Sequence, residues 1–333
     1  MTTRSSSNSS NCNEFAIGAS SALNNMAVDM LKRQCYQQAF ETLKDCMLVM
    51  KLTAAITEDQ FLAAQGEQQE EALRQKENAR SHRHFIHTKL TLASQRITHE
   101  DAMPLFPYIA MEVFSHDTLP PLSTLHSIAT TESLLSTDKA LSLISIHDGS
   151  AGAGSWCSQN SVERLQGLHS FEDENLVTAI VFHNFAVAHL CGAQHVLVAQ
   201  STGEEWPTET AIRLSRYLQK CAVKLLLSAR SLLQQRYDYC LEKDDDDDHD
   251  LALGQLVFLS LVFLQTLIRA LSAGGQVKAA NSCRGKLQLL IEAYRLSRYQ
   301  GEPNDIGDNN KNTKGHKSCS LHHIFQHDAA PAA

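Results

Sequence analysis

Proline is scarce in this chain of 333 residues, with seven in all. Proline breaks helix interiors by removing an N–H donor and crowding the preceding turn, so its rarity leaves room for long helices. The exception is Pro104, Pro107, Pro120 and Pro121, which exclude long helices from that stretch. A basic excess is also missing: the formal net charge is −8, which excludes binding of nucleic acid by the chain as a whole. The nine cysteines are an odd number and form no CxxC pair. Cys46, Cys191 and Cys221 stand at apolar helical positions, as reduced thiols used as small hydrophobes do. The first residues, MTTRSSSNSS, hold no apolar run. A secretory signal is therefore not expected, while a transit peptide and a plain disordered tail both remain open. No GxSxG, HExxH or GxxxxGK occurs, and the glycines of Asp148–Ser155 (DGSAGAGS) read as a flexible linker, not a phosphate loop. The expectation is a protein that is not an enzyme and takes no cofactor.

What is present is helical periodicity. The chain is organised around Leu23–Met47. Leu23, Met26, Ala27, Met30 and Leu31 recur at helical spacing, and Tyr36, Ala39, Phe40, Leu43, Cys46, Met47 and Met50 make a second stripe. Only Lys32–Cys35 separates them, which permits an antiparallel helical hairpin and little else. A second copy of the first pattern occurs at Phe182, Asn184, Phe185, Ala186 and His189 in Leu176–Cys191. Its partner helix is Thr210–Leu233, with Thr208 as N-cap and Glu209 in the first turn. The third apolar segment, Leu251–Ser272, leads through Gly275 into a helix that ends near Tyr299. Single hairpins cannot bury both faces and need stacked neighbours.

Leu23, Asn25, Met26, Ala27 and Met30, followed by Tyr36, Ala39, Leu43 and Cys46, give a spacing that resembles a tetratricopeptide repeat. Departures are Gln34, where glycine usually turns the chain, and the lack of a proline after the second helix. The layout is also similar to repeat-like proteins of diatoms and other algae, a likeness that implies no activity. The tetratricopeptide resemblance implies an all-α solenoid of helical hairpins and a scaffold that holds a protein or peptide. The expected organisation is a disordered tail over 1–17, one helical-repeat domain over 18–300 and a second disordered tail over 301–333. Hairpins would span about 23–50, 176–233 and 251–299, with an insertion over 56–170.

Within that insertion, Gln65–Arg80 continues as helix formers to about Leu92, which reads as a long, protruding, solvated helix or as a disordered insert. Tyr108–Phe114 (YIAMEVF) and Leu141–His147 (LSLISIH) look like short strands that could pair as a small two-stranded ribbon. Glu242–Asp250 (EKDDDDDHD) is a solvated acidic connector that lacks the glycine and closing glutamate of a calcium loop.

Candidate partner-binding residues come from two features. Arg213, Arg216, Lys220 and Lys224 form the core of a basic face on Thr210–Leu233, which could take an acidic protein or peptide. Asn25 and Asn184 occupy the asparagine position of the repeat pattern. A carboxylate clamp is not expected, because the third such helix offers Val262 and Thr266 where basic residues would be needed. Two alternatives to the scaffold stay open. Leu251–Ile268 is free of formal charge and could anchor an adaptor in a membrane, although a buried repeat helix has the same composition. The histidine groups His82, His84 and His87, and His316, Cys319, His322, His323 and His327, could serve a metal-binding protein or metal-dependent enzyme, but neither has a zinc spacing, and no metal is expected. The expected location is cytoplasmic, with nucleus, plastid and mitochondrion open.

Overall fold

The computed structural model of the protein describes residues 7–63, 70–96, 108–114, 141–147, 174–201, 208–242 and 249–299. Seven helices and two strands make up these residues: α1 (Ser7–Lys32), α2 (Tyr36–Ala63), α3 (Glu70–Arg96), β1 (Tyr108–Phe114), β2 (Leu141–His147), α4 (Glu174–Ser201), α5 (Thr208–Glu242), α6 (His249–Ala273) and α7 (Val277–Tyr299). The character is all-α. The chain divides into two compact units, one of Met1–Thr118 with Ala140–Leu232, the other of Leu119–Lys139 with Leu233–Ala333.

In the first unit, α1 begins at Ser7, inside the stretch expected to be a disordered tail. Small residues extend its buried stripe: Ala16, Ala19, Ser20 and Ala22 are buried along with Leu23, Met26, Ala27 and Met30. The serines disguise this in the sequence. Ser20 Oγ donates to the Ala16 carbonyl at 2.9 Å and Ser21 Oγ to that of Ile17 at 3.1 Å, so each carries its own acceptor and can be buried as a small residue. The turn into α2 is a Schellman motif. Cys35 N–H donates to Met30 O at 2.9 Å and Gln34 N–H to Leu31 O at 3.0 Å, with Gln34 in the left-handed region at φ 64°. Leu43, Cys46 and Val49 of α2 are buried, and the Cys46 thiol donates across to Ser20 O at 3.2 Å.

The protruding helix expected over 65–92 is corrected in its second half. Ile86, Leu90 and Ala93 of α3 are buried, and the helix packs on α1 and α2. Three apolar residues at i, i+4 and i+7 suffice because charge completes the contact. The buried Asp45 of α2 accepts from Lys89 Nζ at 2.7 Å and from Arg96 Nη1 at 2.8 Å.

β1 and β2 pair in parallel, Tyr108 opposite Leu141 through Phe114 opposite His147. β2 lies against α1 and α4. α4 also packs on α2, where Phe40 meets Phe185 with ring centroids 5.0 Å apart and His189 at 4.9 Å. The buried face of α5 is Ala211, Ser215, Ala222, Leu226 and Ala229. A Cβ added at Gly192 of α4 would make an ordinary van der Waals contact with Leu218 Cδ1 of α5, at 3.7 Å.

The second unit contains the α6–α7 hairpin. Its turn repeats the α1–α2 turn bond for bond: Gln276 N–H donates to Leu271 O at 2.8 Å and Gly275 N–H to Ser272 O at 3.0 Å. Gly275 stands where Gln34 stands, at φ 74°. α6 is buried almost all round from Leu256 to Leu271. Glu174–Ala199 and Leu256–Ala273 are long and apolar enough to cross a membrane, but they are 72% and 83% buried inside the protein, as core helices are.

Candidate functional site

Three carboxamides converge on the backbone of β2. Asn24 and Asn25 come from the middle of α1 and Asn184 from the middle of α4, and all three are buried. Asn25 Oδ1 accepts from Ile146 N–H at 2.8 Å, and its Nδ2 donates to Ile146 O at 2.6 Å. Asn184 does the same one pleat earlier: Oδ1 accepts from Ile144 N–H at 3.1 Å and Nδ2 donates to Ile144 O at 2.7 Å. Asn24 links the two. Its Nδ2 donates to Ile144 O at 3.0 Å and to Asn25 Oδ1 at 3.3 Å, and its Oδ1 accepts from Asn184 Nδ2 at 2.8 Å.

The geometry follows from the chemistry of a strand. N–H and C=O of one residue point to the same edge and alternate along the chain, so Ile144 and Ile146 share an edge while Leu143 and Ser145 face the other. β1 lies on the second edge. The first edge is buried and would otherwise leave peptide groups without partners, at about 1–3 kcal/mol each. A primary carboxamide carries a carbonyl and an N–H on one planar group, so each asparagine stands in for one residue of a neighbouring strand. The bonds from these asparagines to β2 go to its main-chain atoms alone. The side chains of Leu141, Leu143, Ile144 and Ile146 are buried, and so are those of Ser142 and Ser145.

His183 precedes Asn184 and is fully buried. Burial pushes its pKa down from 6.5 to about 4, against a smaller upward pull from its hydrogen bond with Asn184. The ring next to the carboxamides is therefore neutral at pH 7. His189, six residues on, donates from Nδ1 to Phe185 O at 2.7 Å. Its pKa is also lowered, by burial first, with the bond to Phe185 acting in the other direction. The Cys46 thiol is pushed up to about 12 by burial and is inert as a nucleophile.

The candidate residues thus separate into two places. Asn25 and Asn184 are brought together on β2. Arg213, Arg216, Lys220 and Lys224 are exposed on the outer face of α5, where Arg213 pairs with Glu209 within the same helix. The sequence pattern missed Asn24 and also Ile144 and Ile146, the two residues that the carboxamides hold. His82 is half-buried while His84 and His87 are exposed on α3, and no group of three metal-ligating side chains forms among the described residues. The cluster from His316 to His327, the linker Asp148–Ser155 and the acidic run Asp244–Asp248 lie outside the described residues.

Aligning the matched turns places Gln265 and Thr266 of α6 level with Asn24 and Asn25 of α1. Both are buried. The sequence pattern sets His183 and Asn184 at the same level on α4. A buried polar pair thus recurs on three helices, but only those of α1 and α4 meet a strand among the described residues. Comparison with protein-family models, with curated proteins and with solved structures gives no match.

Proposed function

We propose that this protein is a non-catalytic interaction scaffold, a tetratricopeptide-like stack of helical hairpins that holds an extended polypeptide segment by its backbone between α1 and α4. The observation that carries this function is the two-point grip of Asn25 on Ile146 and of Asn184 on Ile144. Carboxamides on rigid helices are pre-organised, so little side-chain entropy is lost when a strand arrives. Main-chain bonds then supply affinity, and the apolar pockets around alternate side chains supply selectivity, as in strand addition. The recurring polar pair at Asn24–Asn25, His183–Asn184 and Gln265–Thr266 and the two matched turns support the repeat character.

The test is an array of uncharged and acidic octamer peptides probed with the full chain, with Asn25→Ala/Asn184→Ala, and with Arg213/Arg216/Lys220/Lys224→Glu. Binding of the tightest uncharged peptides, those able to take the place of β2 on Asn25 and Asn184, is expected for the full chain and the charge-reversed form and should be lost in the asparagine variant. A specific observation favours a second function, the capture of an acidic segment on α5. Four cations share one exposed helical face there with Tyr217, which is 63% exposed, an aromatic beside charge of the kind enriched in interfaces. Capture of acidic octamers that fails only in the charge-reversed form would favour this second site over the groove.

A further inference from the structure

The groove is not open: β2 fills it. We infer that β2 is an internal ligand, so that the α1–α4 site is self-occupied and an incoming extended, uncharged segment with apolar residues at alternate positions must displace it. The inference rests on the scaffold function proposed above and names how that same site is regulated.

Four features of the molecule carry it. The contacts that fix β2 on this edge go to the backbone of Ile144 and Ile146, so another strand could make the same bonds. Among the described residues, the side chains that bond to this edge of the strand are uncharged carboxamides, Asn24, Asn25 and Asn184, and burial keeps His183, beside Asn184 in α4, neutral too. β2 itself, LSLISIH, carries no acidic or basic residue apart from His147. Finally, the bonds to α1 and α4 lie on one edge of β2 and the pairing with β1 on the other, so the exchange on the asparagine edge is between one strand's main chain and another's.

Tethering sets the strength of the block. β2 belongs to the same chain and competes as a tethered segment, at an effective concentration on the order of millimolar. A free peptide of the same sequence and equal intrinsic affinity would therefore be excluded until it approached that concentration. A partner succeeds by binding more tightly through its side chains, or by arriving where β2 has been drawn out of the groove.

The experiment uses the full chain with protease sites inserted within 120–125 and 150–155. The chain folds uncut and is then cut at both sites. The probe is a fluorescein-labelled nonapeptide, ALSLISIHD, matching residues 140–148, with binding read by anisotropy and folding by circular dichroism. The expected result is release of the excised segment into excess labelled peptide and an apparent affinity at least tenfold tighter than in the uncut chain. The gain should be lost in Asn25→Ala/Asn184→Ala. In the uncut chain, Ile144→Pro removes the N–H that Asn184 accepts and should by itself raise probe affinity.

Equal affinity before and after cutting, still dependent on Asn25 and Asn184, would overturn self-occupation and leave the scaffold function standing. Retention of the excised segment against excess probe would make β2 a fixed part of the fold and also overturn it. Failure of the cut, folded chain to bind probe once the segment has been released would remove both the inference and the groove function beneath it.

Discussion

Asn184 holds both backbone groups of Ile144, accepting its N–H at 3.1 Å and donating to its carbonyl at 2.7 Å. Alanine at 184 would leave a buried N–H without a partner and weaken the hold on a carbonyl that Asn24 also serves. The expected loss is about 2–3 kcal/mol, read as a lower denaturant midpoint. Asn184→Asp should cost more at pH 7, because an ionised carboxylate has no donor for Ile144 O or Asn24 Oδ1. An aspartate variant as stable as the native chain would show that the carboxamide is not needed as a donor.

Acid should weaken the fold over a defined range. His183 titrates at about 4 when folded, against 6.5 as its ordinary value. Above 6.5 the ring is neutral in both states and contributes no pH dependence. Between 6.5 and 4 the unfolded chain takes up a proton that the folded chain refuses, so stability falls as pH drops. The loss levels off below about 4, with an upper bound of about 3 kcal/mol from this shift. His189 adds a loss of the same sign. Denaturant titrations from pH 4.5 to 7.5 should show the slope, and His183→Gln should flatten it. A native slope unchanged by that substitution would assign the effect elsewhere.

The two matched turns make opposite predictions. Gln34 holds a left-handed φ of 64°, so Gln34→Gly should stabilise the chain by about 0.5–1 kcal/mol. Gly275 holds φ 74° with open space around its missing Cβ. Gly275→Ala should therefore destabilise by about 1 kcal/mol through backbone strain alone. Thermal melts of both variants check the signs, and like signs would contradict the equivalence of the turns.

Asp45→Asn should loosen α3. The Asp45 side chain is 6% exposed, and its partners Lys89 and Arg96 are 20% and 26% exposed. Removing the charge leaves two cations on a partly wet surface, which moderates the penalty of a fully buried broken pair to about 1–3 kcal/mol. Amide exchange should speed up over 86–96 before it does in α1. Uniform acceleration would mean that α3 does not move as a separate element.

Much of the helical outline was legible in the sequence because it is local. The stripes of α1, α2, α4, α5 and α6 follow a period set by helix geometry. The positions of Asn25 and Asn184 were legible for the same reason, since a shared pattern of large and small neighbours marks them. Three things were not. The start of α1 is hidden by Ser20 and Ser21, polar by composition but satisfied by their own turn. The packing of α3 depends on Asp45, a charge on another helix. The grip on β2 depends on Asn24 and Asn184 meeting Ile144, and no local pattern links a strand to helices so distant in the chain. Arg216, Lys220 and Lys224 are legible as cations and as exposed, but their chemistry depends on what approaches them.

The Asn184–Asn24 bond closes a span of 160 residues. During synthesis at about 5–20 residues per second, α1 leaves the ribosome on the order of 10 s before α4 exists to meet it. Until β2 emerges, 121 residues after Asn25, Asn24 and Asn25 have neither strand nor facing helix, and the apolar stripe through Leu23, Met26 and Met30 is covered on one side at most. Polar carboxamides awaiting partners hold water, where leucines at the same positions would attract other chains. The contact between α1 and α4 can close only once the last participant has been translated.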